Sequence, residues 1–489
     1  MPAGIRPSVR LDNGVTDVDE PTQRQAEPTP VVPSHTGHVL FLAIAAAVGG
    51  FLFGYDTSVI NGTVDAVKSE FNVSSAVLGF VVSAALLGCA IGAWFAGPLA
   101  NKTGRTRVML FAAIIFAISA IGSAFAWDPV SLLCWRIIGG LAIGAASVIA
   151  PAYIAEIAPA NLRGRLGSLQ QLAIVVGIFA ALLVDYVLAT AAGGASKSVP
   201  WGGAAWRWMF ASAFVPALVY GVLALQIPES PRYLVAKREL RAARDILMRY
   251  VGGNVDNKIA EIRRSLLSDR PVQLRDLRGP VLGLLGIVWV GILLSVFQQF
   301  VGINVIFYYS SSLWQSVGFS ESSSMLTSVI TSVTNIVTTL VAIALIDRIG
   351  RKPLLLIGAA GMVVTLGTMA YCFSTATVID GKPHLPGGIG TVALVAANVY
   401  VFAFGMSWGP TVWVMLGEIF NNRIRASALA VAAAAQWIAN WIISTTFPVL
   451  SGFSLTLAYG LYALFAALAF VFVARAVKET KGRELEDMA

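Results

Sequence analysis

Twelve apolar segments set the limits on what this chain can fold into. They fall at about 39–61, 76–100, 107–126, 131–155, 167–189, 205–227, 281–316, 324–346, 353–375, 389–417, 426–448 and 455–475. Each is near or above the ~20 residues an α-helix needs to cross a bilayer. Lipid offers no water to backbone N–H and C=O groups, so segments of this kind must be helical. The pattern predicts an all-α membrane protein of twelve transmembrane helices. Composition agrees: 12% of residues are charged, against roughly 25% in a soluble protein. The segment 281–316 is too long for one straight crossing and needs a break. Gly302 supplies it.

Basic residues between the segments set the orientation. With both termini on one side, the short loops of that side carry Lys102, Arg105, Arg107, Arg163, Arg165, Arg348, Arg351, Lys352, Arg423 and Arg425. The other side carries only Lys68, Lys197, Arg207 and Lys382. The first side is therefore expected to be cytoplasmic, in a multi-pass protein of the cell membrane. The net charge of +8 is mostly topological, so no nucleic-acid partner is expected. The chain divides into a disordered cytoplasmic tail at 1–37, a six-helix half at 38–228, a cytoplasmic helical linker at 229–279, a second six-helix half at 280–476, and a tail at 477–489. In the linker, Leu240, Ala243, Ile246, Leu247 and Tyr250 recur at helical spacing, and a second amphipathic piece covers about 255–267. These short helices belong under the bundle, either as part of a gate or simply on the membrane surface.

Enzyme chemistry finds no support. Cys89, Cys134 and Cys372 all sit in apolar runs, which suggests no structural disulfide. No His/Cys cluster has metal-ligand spacing, and there is no nucleophile elbow, P-loop or dinucleotide fingerprint. Neither a metal nor a cofactor is expected.

The polar residues that remain inside the spans carry the functional signal. VFQQFVGINVIFYY (Val296–Tyr309) places Gln298, Gln299 and Asn304 around Gly302. An unpaired polar group out of water costs several kcal/mol, and broken helices at membrane depth occur where they line a cavity. Each carboxamide offers an acceptor beside a donor, which matches adjacent hydroxyls of a neutral polyol. Bonding helix to helix is the other use such amides have. Gln170 and Gln171 stand early in the fifth span and Asn335 in the eighth. Trp408, Trp413, Gln436, Trp437 and Asn440 cluster in the tenth and eleventh. Trp408-Gly409-Pro410 is expected to break the tenth, because proline removes a helix hydrogen bond.

Asp56 and Arg136 lie at similar depths below the non-cytoplasmic face, given ~1.5 Å of rise per residue. Intramembrane charges tend to pair and to be functional. The expectation is that they meet, either as a static ion pair or as a proton-coupling pair that protonation of Asp56 releases. Asp185 lies near a helix end and is read as solvated, with no role.

The two halves repeat. NKTGRTR (Asn101–Arg107) follows the second span and DRIGRKP (Asp347–Pro353) the eighth. Glu156 with Arg163 and Arg165 follows the fourth span, and Glu418 with Arg423 and Arg425 the tenth. A parallel six-plus-six repeat is the design of the major facilitator fold. Arg105, Glu156, Arg163, Asp347, Arg351, Glu418 and Arg425 are candidates for a cytoplasmic gate. Arg107 and Arg423 read as snorkelling side chains.

Together FGYDTSVING, WRIIGG, PESPRYL, QQFVGINVIFYYS, DRIGRKPLL, SWGPTVWVMLGEIF and AQWIANW closely resemble the sugar porter family of the major facilitator superfamily. The likeness covers about 38–482 and is closest to bacterial proton-coupled glucose permeases. It implies sugar contacts from Gln171, Gln298, Gln299, Asn304, Asn335, Trp413 and Gln436, with Phe53, Tyr308 and Trp437 completing an aromatic lining. It also implies proton coupling through Asp56 and Arg136, since passive animal facilitators usually carry Asn at the Asp56 position. The expected substrates are a small neutral sugar, glucose first, and a co-transported proton, carried by a chain that works as a monomer in the bilayer. A passive uniporter, a porter for myo-inositol, xylose or galactose, and a sugar sensor are the alternatives. Four departures stand out: Asn101 in place of an Asp, Ile178 where some members have a sugar-binding Gln, Gly405 where animal facilitators have an acid, and KETKG in place of PETKG.

Overall fold

The computed structural model describes residues 36–159, 162–252, 254–268, 274–379, 382–420 and 424–481. The first six crossings comprise α1 (Thr36–Val59), a short α2 (Val64–Glu70), α3 (Ser75–Thr103), α4 (Arg105–Ala124), α5 (Pro129–Ile157), α6 (Arg163–Ala192), and α7 (Ala205–Ser212) continued by α8 (Phe214–Gln226). The linker holds α9 (Pro231–Ala236), α10 (Leu240–Ile246) and α11 (Val255–Ser268). The last six crossings comprise α12 (Gly286–Phe300) with α13 (Ile303–Ser316), α14 (Glu321–Ile349), α15 (Arg351–Ser374), α16 (Ile389–Gly405) with α17 (Trp408–Ile419), α18 (Arg425–Phe453) and α19 (Leu455–Ala476). Among the described residues, 12 crossings are long and apolar enough to span a bilayer.

Local chemistry sets the ends of these helices. Asp128 accepts the Ser131 amide at 2.6 Å ahead of Pro129 in the first turn of α5. Ser74, Ser320 and Ser454 cap α3, α14 and α19 in the same way, as short polar side chains do at helix starts. Gly104 and Gly350, at φ 106° and 100°, separate α3 from α4 and α14 from α15 at equivalent places in the repeat.

The break in the seventh crossing falls at Gly302, whose φ of 83° is left-handed. The break in the tenth falls at Met406–Ser407 rather than at Trp408-Gly409-Pro410. Pro410 lies in the first turn of α17, where the amide it lacks would have had no helical partner. It begins the second piece instead of ending the first. The seventh crossing starts at Gly286 and not near 281, because 281–284 close into a tight turn through paired Val281 and Leu284. A short antiparallel hairpin, β1 (Thr377–Ile379) and β2 (Lys382–His384), bridges the ninth and tenth crossings. No alternation in the sequence announced it.

The halves meet where α3 packs on α18 and α6 on α14. The linker helices keep a small core of their own around Leu234, Val235, Ala243 and Ile262. Within the first half, α3 and α5 touch backbone to backbone. A Cβ added at Gly88 or Gly140 would lie 2.2 Å from the Ile137 carbonyl oxygen or 2.1 Å from that of Ala85. Gly92 and Gly144, one turn on, are as tight. Small residues let membrane helices approach this closely. Gly140→Leu is therefore expected to destabilise the bundle by about 1–3 kcal/mol. Thermal melting in detergent measures this, and an unchanged midpoint would refute the close approach.

Candidate functional site

The seventh crossing presents its amides at the break. Gln298 and Gln299 end α12, buried at 2% and 5% exposure. Gln298 Nε2 donates to the carbonyls of Trp408 and Gly409, at 2.9 and 3.2 Å, in the first turn of α17. Gln299 Nε2 donates to Gln298 Oε1 at 3.3 Å, and Asn304 Nδ2 donates to Gln299 Oε1. The two helix breaks and the three amides thus form one connected cluster. The carbonyl of Val301, freed by the break, accepts the Tyr400 hydroxyl at 2.7 Å.

The other predicted residues stand at different distances from this cluster. Tyr308 follows one turn after Asn304, is buried, and lies beside Asn440 of α18. Phe53 of α1 meets the Trp437 ring of α18 edge-on, with centroids 5.5 Å apart, so these aromatics join the two halves. Gln171 and Gln436 are half-buried, and Gln436 Oε1 has no hydrogen-bond partner among the described residues. Trp413 is 40% exposed. None of these three is hydrogen-bonded to the cluster among the described residues. Asn335 faces Gly405, where an added Cβ would sit 2.2 Å from Thr338 Oγ1. An acidic side chain has no room there. Trp408 is fully buried and donates Nε1 to the Leu355 carbonyl, so it anchors α17 to α15.

Asp56 and Arg136 meet. Arg136 Nη1 donates to Asp56 Oδ1 at 2.7 Å and to the Asp56 carbonyl at 3.3 Å. The pair is buried, at 6% and 2% exposure, and Phe210 lies under the guanidinium. Asp56 Oδ2 and Arg136 Nε have no partner among the described residues. The contact is therefore single rather than bidentate, and one carboxyl oxygen remains available to a proton. Tyr308 lies within electrostatic reach of both charges. Asp185 is not solvated, contrary to the sequence reading. It is 1% exposed, because the turn after α1 folds over it and Gly62 N–H donates to its Oδ2 at 3.1 Å.

At the basic end each half has the same clasp. Arg105 reaches both oxygens of Glu156, at 3.1 and 3.0 Å. Arg351 reaches both of Glu418, at 3.1 and 2.8 Å. Each pair joins spans within one half, not across the two. The side chains of Arg163, Asp347 and Arg425 lie outside the described residues. A second carboxylate completes each clasp, and the sequence reading missed it. Glu229 accepts the backbone amides of Arg105 and Thr106, while Ser230 donates to Glu156. Glu479 accepts those of Arg351 and Lys352, while Thr480 donates to Glu418. The signal was present: PESPR follows the sixth span as KETKG follows the twelfth. The positive φ of Gly104 and Gly350 serves this contact, since a Cβ there would lie 2.3 and 3.0 Å from the Glu229 and Glu479 carboxylates.

At the opposite end the seam between the halves is closed. Asn61 bridges to α13, Asp65 accepts the Ser312 hydroxyl at 2.8 Å, and Glu321 accepts the Ala195 amide at 2.7 Å.

A family model described as "Sugar (and other) transporter" matches residues 42–489. The chain is 56% identical to the glucose transport protein of Synechocystis sp., over 92% of this chain and 97% of that one. It is 38% identical to the D-xylose-proton symporter of Escherichia coli, over 93% and 96%. Among solved structures, the inward open conformation of the E. coli xylose transporter superposes with a TM-score of 0.78 at 37% identity, covering 92% of this chain and 99% of that one.

Partial burial raises the Glu479 pKa, but the amides of Lys481, Arg351, Lys352 and Thr480 outweigh it and hold the carboxyl below the ordinary glutamate value of 4.5. A lowered carboxyl stabilises the fold fully above its unfolded value and stops doing so as pH falls through the folded one. Glu479→Gln is expected to melt below wild type at pH 7. The gap should close on acidification below 4.5, and a gap independent of pH would remove the charge from the account.

Proposed function

The chain belongs to the sugar (and other) transporter family, and from that premise we propose that it imports a neutral monosaccharide, D-glucose first, together with a proton. The two halves rock about the amide-lined middle and open it to one side of the membrane at a time. Relatives named glucose transport protein and D-xylose-proton symporter support the sugar and the proton respectively. The xylose relative also makes a pentose the second substrate to try. The excess of basic residues in the loops of one side supports a cytoplasmic assignment for that side, with the termini and the linker helices there and the chain in the plasma membrane. One chain carries a full set of candidate residues, so a monomer suffices, and the cycle uses no cofactor beyond the proton.

The observation that carries this reading is the buried, singly bonded Asp56–Arg136 pair beside Tyr308. An intramembrane charge costs at least ~2.5–3.5 kcal/mol by insertion scales. The pair is kept at that cost, which suits a coupling role. With the outer side open, a proton adds to Asp56 Oδ2 and weakens the hold on Arg136. Sugar hydroxyls meet Gln298, Gln299 and Asn304, while Phe53, Tyr308 and Trp437 cover the ring. Closure of the outer seam then delivers both substrates inward. One positive charge crosses per sugar, so the membrane potential contributes ~2.3 kcal/mol per 100 mV. That is enough for more than tenfold accumulation.

Asp56→Asn tests the coupling. Energised vesicles carrying it are expected to lose uncoupler-sensitive accumulation while retaining exchange of labelled for unlabelled glucose. Loss of exchange too would make Asp56 a part of the pocket instead. Gln299→Ala tests the pocket and should weaken glucose binding about tenfold by leaving a hydroxyl unpaired. An unchanged Kd by calorimetry would take Gln299 out of the site.

A further inference from the structure

Asp185 is a buried carboxyl that the cycle above does not use. It lies on α6 at 1% exposure. Its Oδ2 accepts the Gly62 amide at 3.1 Å, and its Oδ1 has no hydrogen-bond partner among the described residues. Only glycine permits this contact, because a Cβ at 62 would lie 2.7 Å from Asp185 Cγ. The residue before Gly62, Asn61, is one of those that span the outer seam, with Asp65 and Glu321. Asn61 Nδ2 donates to the Phe307 carbonyl and to Ser310 Oγ, both at 2.9 Å. Its Oδ1 accepts the Ser311 amide at 3.2 Å and the Ser311 hydroxyl. Ser310 in turn meets Ser328 of α14. Asn61 thus spends its whole hydrogen-bonding capacity on the other half.

We propose that Asp185 is a positioning residue of the outer gate. Its acceptor oxygen holds the Gly62 amide, and so fixes the pose in which Asn61 meets α13. Asp185, Gly62 and Asn61 all belong to the first half, so their bond survives the rocking motion. Of the bonds made by these three residues, the Asn61 clasp to α13 is the one that crosses the seam and so forms on closing. A clasp already in its bound pose loses less freedom when it forms. Without the acceptor, the buried Gly62 amide loses its partner, and the turn gains by moving toward water. The sealed state then loses population to the outward-open one, and apparent affinity follows the fraction of binding-competent protein on each side.

This inference rests on the reading of the chain as an alternating-access sugar carrier. Wild-type glucose counterflow in reconstituted vesicles tests that reading by itself, so the two can fail separately. Asp185→Leu, Asp185→Asn, Asn61→Ala and the double variant Asp185→Leu/Asn61→Ala are measured in oriented vesicles for half-saturation by glucose from each face. Asp185→Ala is carried in parallel in case leucine overpacks, and melting temperatures accompany every variant. The ratio of inner-face to outer-face half-saturation is expected to rise about tenfold in Asp185→Leu, with outer-face half-saturation falling. Asp185→Asn keeps an acceptor oxygen and should stay within about twofold of wild type. Asn61→Ala should shift the ratio the same way, and the double variant no further than Asn61→Ala alone, because both act through one clasp. Slower transport with an unchanged ratio in Asp185→Leu and Asp185→Ala would overturn the proposal. So would Asp185→Asn behaving like the leucine variant, or additive shifts in the double variant.

Discussion

When the seventh crossing breaks at Gly302, it frees the carbonyl of Val301, and in hydrocarbon a free carbonyl costs several kcal/mol. The Tyr400 hydroxyl, reaching over from the tenth crossing, removes that cost. In the other direction Gln298, beside the first break, finds acceptors for its own amide in the carbonyls of Trp408 and Gly409 at the start of α17. The two irregular stretches are therefore linked by hydrogen bonds in both directions. This linkage satisfies Gln298 at membrane depth. It also leaves Gln299 and Asn304 bonded within the seventh crossing rather than to another crossing. Amides held that way can exchange a neighbour for a ligand hydroxyl without tearing the bundle.

The ion pairs divide by burial. Removing one partner of a buried pair costs about 3–5 kcal/mol, whereas exposed pairs contribute about 0–1. Asp56 and Arg136 lie at the first extreme, so adding a proton to Asp56 is a strong local perturbation. Arg105–Glu156 and Arg351–Glu418 lie between, with side chains 11–31% exposed. They are further tied to backbone amides at helix starts through Glu229 and Glu479. Fixed inside their own halves, they make each half rigid at the basic end. Rigid halves are what a rocking motion needs.

Hydropathy made the twelve crossings legible, because length and apolarity are local properties. It overran the start of α12, where Val281–Leu284 are apolar yet turned. It misplaced the tenth break, because a proline just inside a helix start looks in sequence like one that ends a helix. Asp185 went unread for a different reason. Its burial comes from the turn at 60–63, distant in sequence, and no periodicity reports that. The hydrogen bonds of Asn61 were equally hidden, although the residue sits inside a quoted motif. Glu229 and Glu479 were recoverable by carrying the repeat two motifs further, from the GlyArg loops to PESPR and KETKG.

The same repeat shows why one half carries the charge. The offset that carries Glu156 onto Glu418 also carries Arg136 onto Asn398. Gly54-Tyr55-Asp56 in the first crossing corresponds in pattern to Gly302-Ile303-Asn304 in the seventh. The acid and base of the first half are thus matched by two carboxamides in the second. Among the described residues, Asn398 bonds neutral groups, the Thr334 hydroxyl and the Leu394 carbonyl. A titratable pair in both halves would add a second intramembrane ion pair, with its own desolvation cost. Neutral amides at the matching positions keep polar character without that cost. Among the described residues, the clasps at the basic end repeat in both halves, while the buried ion pair within the membrane belongs to the first half.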